Sequence, residues 1–148
     1  MICARHLLPR SICLCLLASV LSPANTWSQK YNMLFHNVLN MGLFGPSIMA
    51  GEVAYYKTQI NPQWGLPLDS RGPLTKSDWS AWIASMVPAG EEAFSAQIFS
   101  TEWNFLTQGP SKGVPFSDFF ATDDGHVLGF RARPVQGGLF AKLLTSAQ

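Results

Sequence analysis

Apolar residues recur at three- and four-residue steps through Trp27, Tyr31, Leu34, Phe35, Val38 and Leu39. They form one face of an amphipathic helix predicted over residues 28–41. Gly42 and Gly45 end it, and Pro46 suits the first turn of a second helix. That helix carries Ile48, Met49, Val53, Tyr56 and Ile60, and Asn61-Pro62 stops it. The short link predicts an antiparallel hairpin of the two. Trp79, Trp82, Ile83 and Met86 give a third apolar face over 77–86, read as core rather than ligand site. Pro88-Ala89-Gly90 breaks the chain. Phe94, Ile98, Phe99, Trp103 and Leu106 then predict a helix to about 107, with Glu91 and Glu92 in its first turn, where the helix dipole favours negative charge.

The tail changes period. Asp123-Asp124-Gly125 is a hairpin turn signal, and residues 126–133 alternate like a strand. A small hairpin over 119–133 is expected, then a last helix over 135–145. Gly137-Gly138 near its start permits close backbone approach to a neighbouring helix or a ligand. The expected body is all-α: about five helices, two long loops and one hairpin. Each helix pair leaves apolar faces that need further helices to cover them, so association through unpaired faces is expected.

The chain is organised around residues 65–79. Gly65, Pro67, Gly72 and Pro73 exclude regular structure. Asp69, Arg71, Lys76, Asp78 and Trp79 nevertheless crowd into this stretch, and polar loops between apolar helices commonly hold sites. Structural readings stand beside the functional ones. Asp69 could pair with an arginine and pin its loop. Thr75 looks like an N-cap, with Asp78 three residues later as a short capping-box partner. Glu102 falls beside Ile98, Phe99 and Phe105; half-burial would raise its pKa, but a solvent-facing Glu is expected.

Length and composition narrow the classes. The 148 residues suit one small domain. Charged residues are 13% and hydrophobic residues 47%, which argues for a core and against disorder. No basic run is present and the net charge is +1, so nucleic acid is not an expected partner. Residues 1–24 read as a secretory signal peptide: Arg5 and Arg10, an apolar run of residues 12–21, and Ser22-Pro23-Ala24 before a cut. The apolar run is too short to span a bilayer, so no membrane attachment is expected after cleavage, and the product is expected outside the cell. Cleavage takes Lys plus Arg from 10 to 8 against 9 acidic residues, a net charge of −1. It also removes Cys3, Cys13 and Cys15, leaving no disulfide and no thiolate ligand.

Asp69, Asp78 and Asp118 are the carboxylates in loops or at helix starts, and Arg71, Arg131 and Arg133 the arginines in comparable places. Two carboxylates suffice for acid and base, and arginines clamp a substrate carboxylate with paired donors. His36 and His126 are isolated, so no metal is expected. No Gly-x-Ser-x-Gly elbow and no phosphate-binding loop occur.

Residues 52–57, 65–71, 75–79, 115–118 and 129–138 occur in one order that closely resembles the C-terminal part of the glutaminase A family of fungi and bacteria. The resemblance covers roughly residues 27–144. It implies a six-hairpin (α/α) toroid and extracellular hydrolysis of L-glutamine to L-glutamate and ammonia without a cofactor. It further implies that Asp69, Asp78 and Asp118 are catalytic, with Asp69 or Asp118 as base. Arg71 or Arg133 would hold the substrate carboxylate, with Trp79 and Ser117 on the substrate side. Five helices cannot close a ring of twelve, and Pro134 departs from the family wording. The chain is therefore expected to be a partial toroid, residues 25–148 being the C-terminal part of the domain. The competing expectations are a non-catalytic secreted binding module and an inactive truncated product.

Overall fold

The computed structural model describes residues 26–112 and 115–146. The signal-peptide reading of residues 1–24, and the three cysteines within it, lie outside the described residues. Five α-helices, one 3-10 helix and a two-stranded antiparallel sheet follow in chain order: α1 (Met33–Val38), α2 (Pro46–Gln59), β1 (Leu74–Lys76), α3 (Ser77–Met86), α4 (Glu92–Gln108), β2 (Phe119–Ala121), the 3-10 helix (Pro134–Phe140) and α5 (Ala141–Ser146).

Helix α1 is shorter than the expected 28–41. Before it the chain runs extended along the central loop instead. Ser28 bridges Asp69, Gln29 N donates to the Leu68 carbonyl at 2.7 Å, and Ser70 N donates to the Trp27 carbonyl at 3.1 Å. Backbone partners 40 residues away compete with helix for those donors. Asn40 turns left-handed at φ 48° just beyond the other end. The expected pairing of the first two helices is not the main one, since α1 lies chiefly on α3.

Helix α2 matches its prediction. Pro46 starts it, and Asn61 receives the amides of Gln63 and Trp64 at 2.8 and 3.0 Å in the turn that follows. Helix α3 covers the expected 77–86, and α4 lies within one residue of expectation. α3 is the hub: α1, α4, the 3-10 helix and α5 all pack on it. Leu34, Val53, Tyr56, Ile83 and Ile98 centre the main core. A smaller cluster places Phe105 flat on Phe120, ring centres 3.7 Å apart, beside Trp64.

Two local readings need correction. The end of the central stretch is regular: residues 74–76 form β1, with Thr75 opposite Phe120. Thr75 is accordingly no N-cap. Its hydroxyl donates to the Leu66 carbonyl at 2.7 Å and lies 3.0 Å from Ser80 Oγ, while Lys76 precedes α3 without any side-chain cap. The last helix is also not continuous, being 3-10 up to Phe140 and α only beyond it. The expected hairpin forms around Gly125 (φ 74°). Phe120 bridges Val127, Ser117 bridges Arg131, and Ala121 N donates to the His126 carbonyl at 3.0 Å. Gly138 is where close approach is used. A Cβ there would lie 2.7 Å from Asp78 Cβ and 2.9 Å from Trp82 Nε1, so the 3-10 helix rests directly on α3.

Candidate functional site

β1 runs straight into α3, and this junction carries most of the site. Lys76 ends the strand, Asp78 sits in the first turn of the helix, and Trp79 follows. Ser77 N donates to the Asp118 carbonyl at 3.0 Å, which docks the segment entering β2 against the same junction.

Asp118 is 0% exposed and held by two cations. Arg133 Nε donates to Oδ1 at 3.0 Å, Arg133 Nη2 to Oδ2, and Lys76 Nζ lies 3.4 Å from Oδ2. Phe130 supports both cations, its ring centre 4.1 Å from the guanidinium and 5.1 Å from Lys76 Nζ. Such contacts favour cations over aromatic faces. The backbone here is held against its preference: Phe130 and Ala132 adopt φ 49° and 51°, costing about 1–3 kcal/mol each for residues other than Gly. Burial alone would raise the Asp118 pKa. The Arg133 hydrogen bonds oppose it, helped by the nearby positive charges, and the net direction is downward.

Asp78 moves the other way. Burial raises its pKa, Lys76 offsets only part of this, and the charge of Asp118 adds to the rise. It is 5% exposed, and its Oδ1 has no hydrogen-bond partner among the described residues.

Asp69 and Arg71 lie in an open cleft of about 430 Å³ that Tyr31, Asn32 and Trp79 also line. Asp69 receives Arg71 Nε at 2.9 Å, Arg71 Nη2 at 2.6 Å and the Arg71 amide at 2.9 Å. These side-chain bonds pull its pKa down. The Arg71 side chain is 85% exposed. Trp79 joins the two halves: Tyr31 stacks on it at 3.9 Å, and Lys76 Nζ lies 5.1 Å from its ring centre.

Asp78, Asp118, Arg133 and Trp79 are thus brought together, and Asp69 with Arg71 borders the same tryptophan. Ser117 is turned inward. Its hydroxyl donates to the Gly129 carbonyl at 2.6 Å and accepts from Phe119 N at 3.1 Å. Two charged residues named in the sequence were left out of the candidate site. Lys76 lay inside the organising stretch, but nothing local pointed it at a residue 42 positions away. Glu102 is not solvent-facing: it is 5% exposed, and burial pushes its carboxyl up to about 7. Its apolar neighbours on α4 were the available signal.

Among the described residues, no three or more His, Cys, Asp or Glu are grouped to hold a metal ion, and no helix is long and apolar enough to cross a membrane.

Residues 18–143 match the family described as the glutaminase A six helical-hairpin domain. The chain is 29% identical to glutaminase A of Aspergillus oryzae over 117 residues, covering 77% of this chain and 16% of that protein. It is 37% identical over 87 residues to a protein of Arthroderma benhamiae named as a probable glutaminase, covering 57% of this chain and 10% of that one. The chain therefore spans less than a fifth of the length of these relatives. No solved structure matches it.

Proposed function

The chain belongs to the glutaminase A six helical-hairpin domain family, and on that premise we propose that it supplies the acid–base and anion-holding part of a secreted amidohydrolase site acting on L-glutamine or a related amide. The fold reading that goes with it is a partial (α/α) toroid. Exposed apolar side chains such as Phe35, Leu39, Phe140 and Leu143 support association with further hairpins or further copies. No cofactor enters this reading.

One observation carries it. Two carboxylates have opposite protonation tendencies: Asp69, on the cleft that Trp79 lines, is held ionised by Arg71, and Asp78, the chain neighbour of Trp79, is pushed toward its neutral form by burial. Environments that push two acids apart divide the roles of base and acid. Amide hydrolysis needs both: a base to take a proton from attacking water and an acid to protonate the departing nitrogen. Asp69, on the open cleft, takes the first role and Asp78 the second. Asp118 holds Arg133 and Lys76 in place. Those cations, with the exposed Arg71, suit the α-carboxylate and the developing negative charge of the substrate.

The test is ammonia release from L-glutamine by the purified chain, with a sizing column on the same sample. Asp69→Asn and Asp78→Asn should each cost about a hundredfold or more at unchanged size. The complete pairing of Asp69 with Arg71 favours a second reading, a charged binding surface without turnover. A folded monomer that releases no ammonia would select that reading.

A further inference from the structure

Phe130 holds a conformation that its own burial does not explain. Its backbone is left-handed at φ 49°, in a run that also holds Gly129 at φ 127° and Ala132 at φ 51°. For a bulky side chain this is an outlier, and such strain persists only where the surroundings over-determine it. They do so here. The Ser117 hydroxyl donates to the Gly129 carbonyl at 2.6 Å, and Ala132 N donates to the Phe116 carbonyl at 2.8 Å. Yet the Phe130 ring is half-exposed, so apolar burial returns little for that strain. What the ring does reach is charge, its centre lying 4.1 Å from the Arg133 guanidinium and 5.1 Å from Lys76 Nζ.

Both cations keep unspent donors. The Lys76 ammonium has three, and its bond to Asp118 Oδ2 is long at 3.4 Å. The rings of Trp79, Phe119 and Phe130 lie 5.1, 5.7 and 5.1 Å from its Nζ; they attract the ammonium without neutralising it. Arg133 meets Asp118 through Nε and Nη2, and its Nη1 lies outside that pairing. One hydrogen-bonded carboxylate thus serves two cations, while Asp78 acts on them only through space. Both are also drier than the other candidate arginine: side-chain exposure is 17% at Lys76 and 33% at Arg133, against 85% at Arg71. A charge pair formed where water is scarce is the stronger one.

We infer that Phe130 is a positioning residue for a carboxylate subsite at Lys76 and Arg133: its ring holds the two cations in place beside Asp118, so that Arg133 Nη1 and the spare Lys76 donors receive the carboxylate of a small amino acid or its amide. The inference rests on the reading of these cations as holders of the substrate carboxylate, and it gives them that task in preference to Arg71. A ring against both cations restricts their rotamers, so less ordering remains to be done when the ligand arrives. Asp118 anchors the pair and Phe130 orients it. The left-handed backbone at Phe130 is what places the ring there.

The experiment titrates the whole chain with L-glutamate, the expected product, and follows the side-chain NMR signals of Arg133 and Lys76. In the unaltered protein both should move together with one dissociation constant, a readout that needs no variant; signals that stay still overturn the inference. Phe130→Leu keeps apolar bulk and the same left-handed cost, and removes only the ring face. It should weaken L-glutamate binding by about tenfold, whereas Phe130→Tyr, which restores the face, should stay within about twofold of the unaltered chain. Leu binding as tightly as Phe, or Tyr as weakly as Leu, overturns the inference, since a merely structural ring would not sort the variants by aromatic face. Ammonia release from L-glutamine supplies the functional arm. Phe130→Leu should raise KM by about tenfold with kcat nearly unchanged; a lower kcat at unchanged KM contradicts the subsite. If the unaltered chain releases no ammonia while L-glutamate still moves both cations, the reading of the reaction fails and the subsite stands.

Discussion

Arg133 reaches Asp118 across 15 residues and closes on it with both Nε and Nη2, although no part of the Asp118 side chain is exposed. Lys76 meets the same carboxylate from β1. This carboxylate ties the hairpin to the β1–α3 junction. Removing it leaves two cations facing each other without a counter-charge. Asp118→Ala should therefore destabilise the chain by about 2–4 kcal/mol in urea unfolding, toward the lower end for broken buried pairs because Arg133 keeps a third of its side chain in water. The pH dependence has a definite sign. The folded pKa lies below the unfolded one, so this stabilisation is present above about pH 4 and is lost as pH falls through the folded value.

Glu102 gives the opposite slope. Its folded pKa, about 7, lies above the unfolded value. The protein should be most stable with Glu102 neutral and lose about 3 kcal/mol as pH rises from about 4.5 to 7. Above that the contribution should be flat. Unfolding curves measured at intervals across this window should show the decline in the unaltered chain, and Glu102→Gln should flatten it.

Gly138 lies against Asp78 and Trp82 with no room for a methyl group. Gly138→Ala should cost about 1–3 kcal/mol through overpacking. A Cβ at Gly137 would meet nothing within 4 Å, and Gly137→Ala should leave stability nearly unchanged. Thermal unfolding of the two variants side by side checks the contrast.

Ala132 is exposed and holds φ 51°, a conformation that costs an L-residue about 1 kcal/mol or more. Ala132→Gly should relieve that cost and be neutral to slightly stabilising, against the usual penalty for introducing glycine. A clear loss of stability in chemical unfolding would show that this backbone is not strained.

What could be read from the sequence divides by range. Helices α3 and α4 were legible because their apolar spacing and the breaker between them, Pro88-Ala89-Gly90, are local. The hairpin turn at Asp123-Asp124-Gly125 was legible for the same reason. β1 was not: three residues carry no periodicity, and their partner β2 begins more than 40 positions later. Thr75 was misread with it, since a Thr three residues before an acid is also a local capping signal. The start of α1 failed because Ser28 and Gln29 bond to the central loop. At the site, the acids and arginines were found as residue types, but their pairing was not. Asp69 with Arg71 is a two-residue contact and was foreseeable. Asp118 with Lys76 depends on strand register. The burial of Glu102 depends on which side of α4 faces α3, and a glutamate beside Ile98, Phe99 and Phe105 reads equally as half-buried or as solvent-facing.

Asp69 and Asp78 are shifted in opposite directions from the ordinary aspartate value, and the division into base and acid depends on that difference. A pH titration of isotope-labelled aspartate carboxyls in the unaltered chain, assigned with Asp69→Asn and Asp78→Asn, tests it most directly. Asp69 should titrate below the ordinary aspartate value and Asp78 above it. Two midpoints that coincide, or that fall in the reverse order, would contradict the division into base and acid.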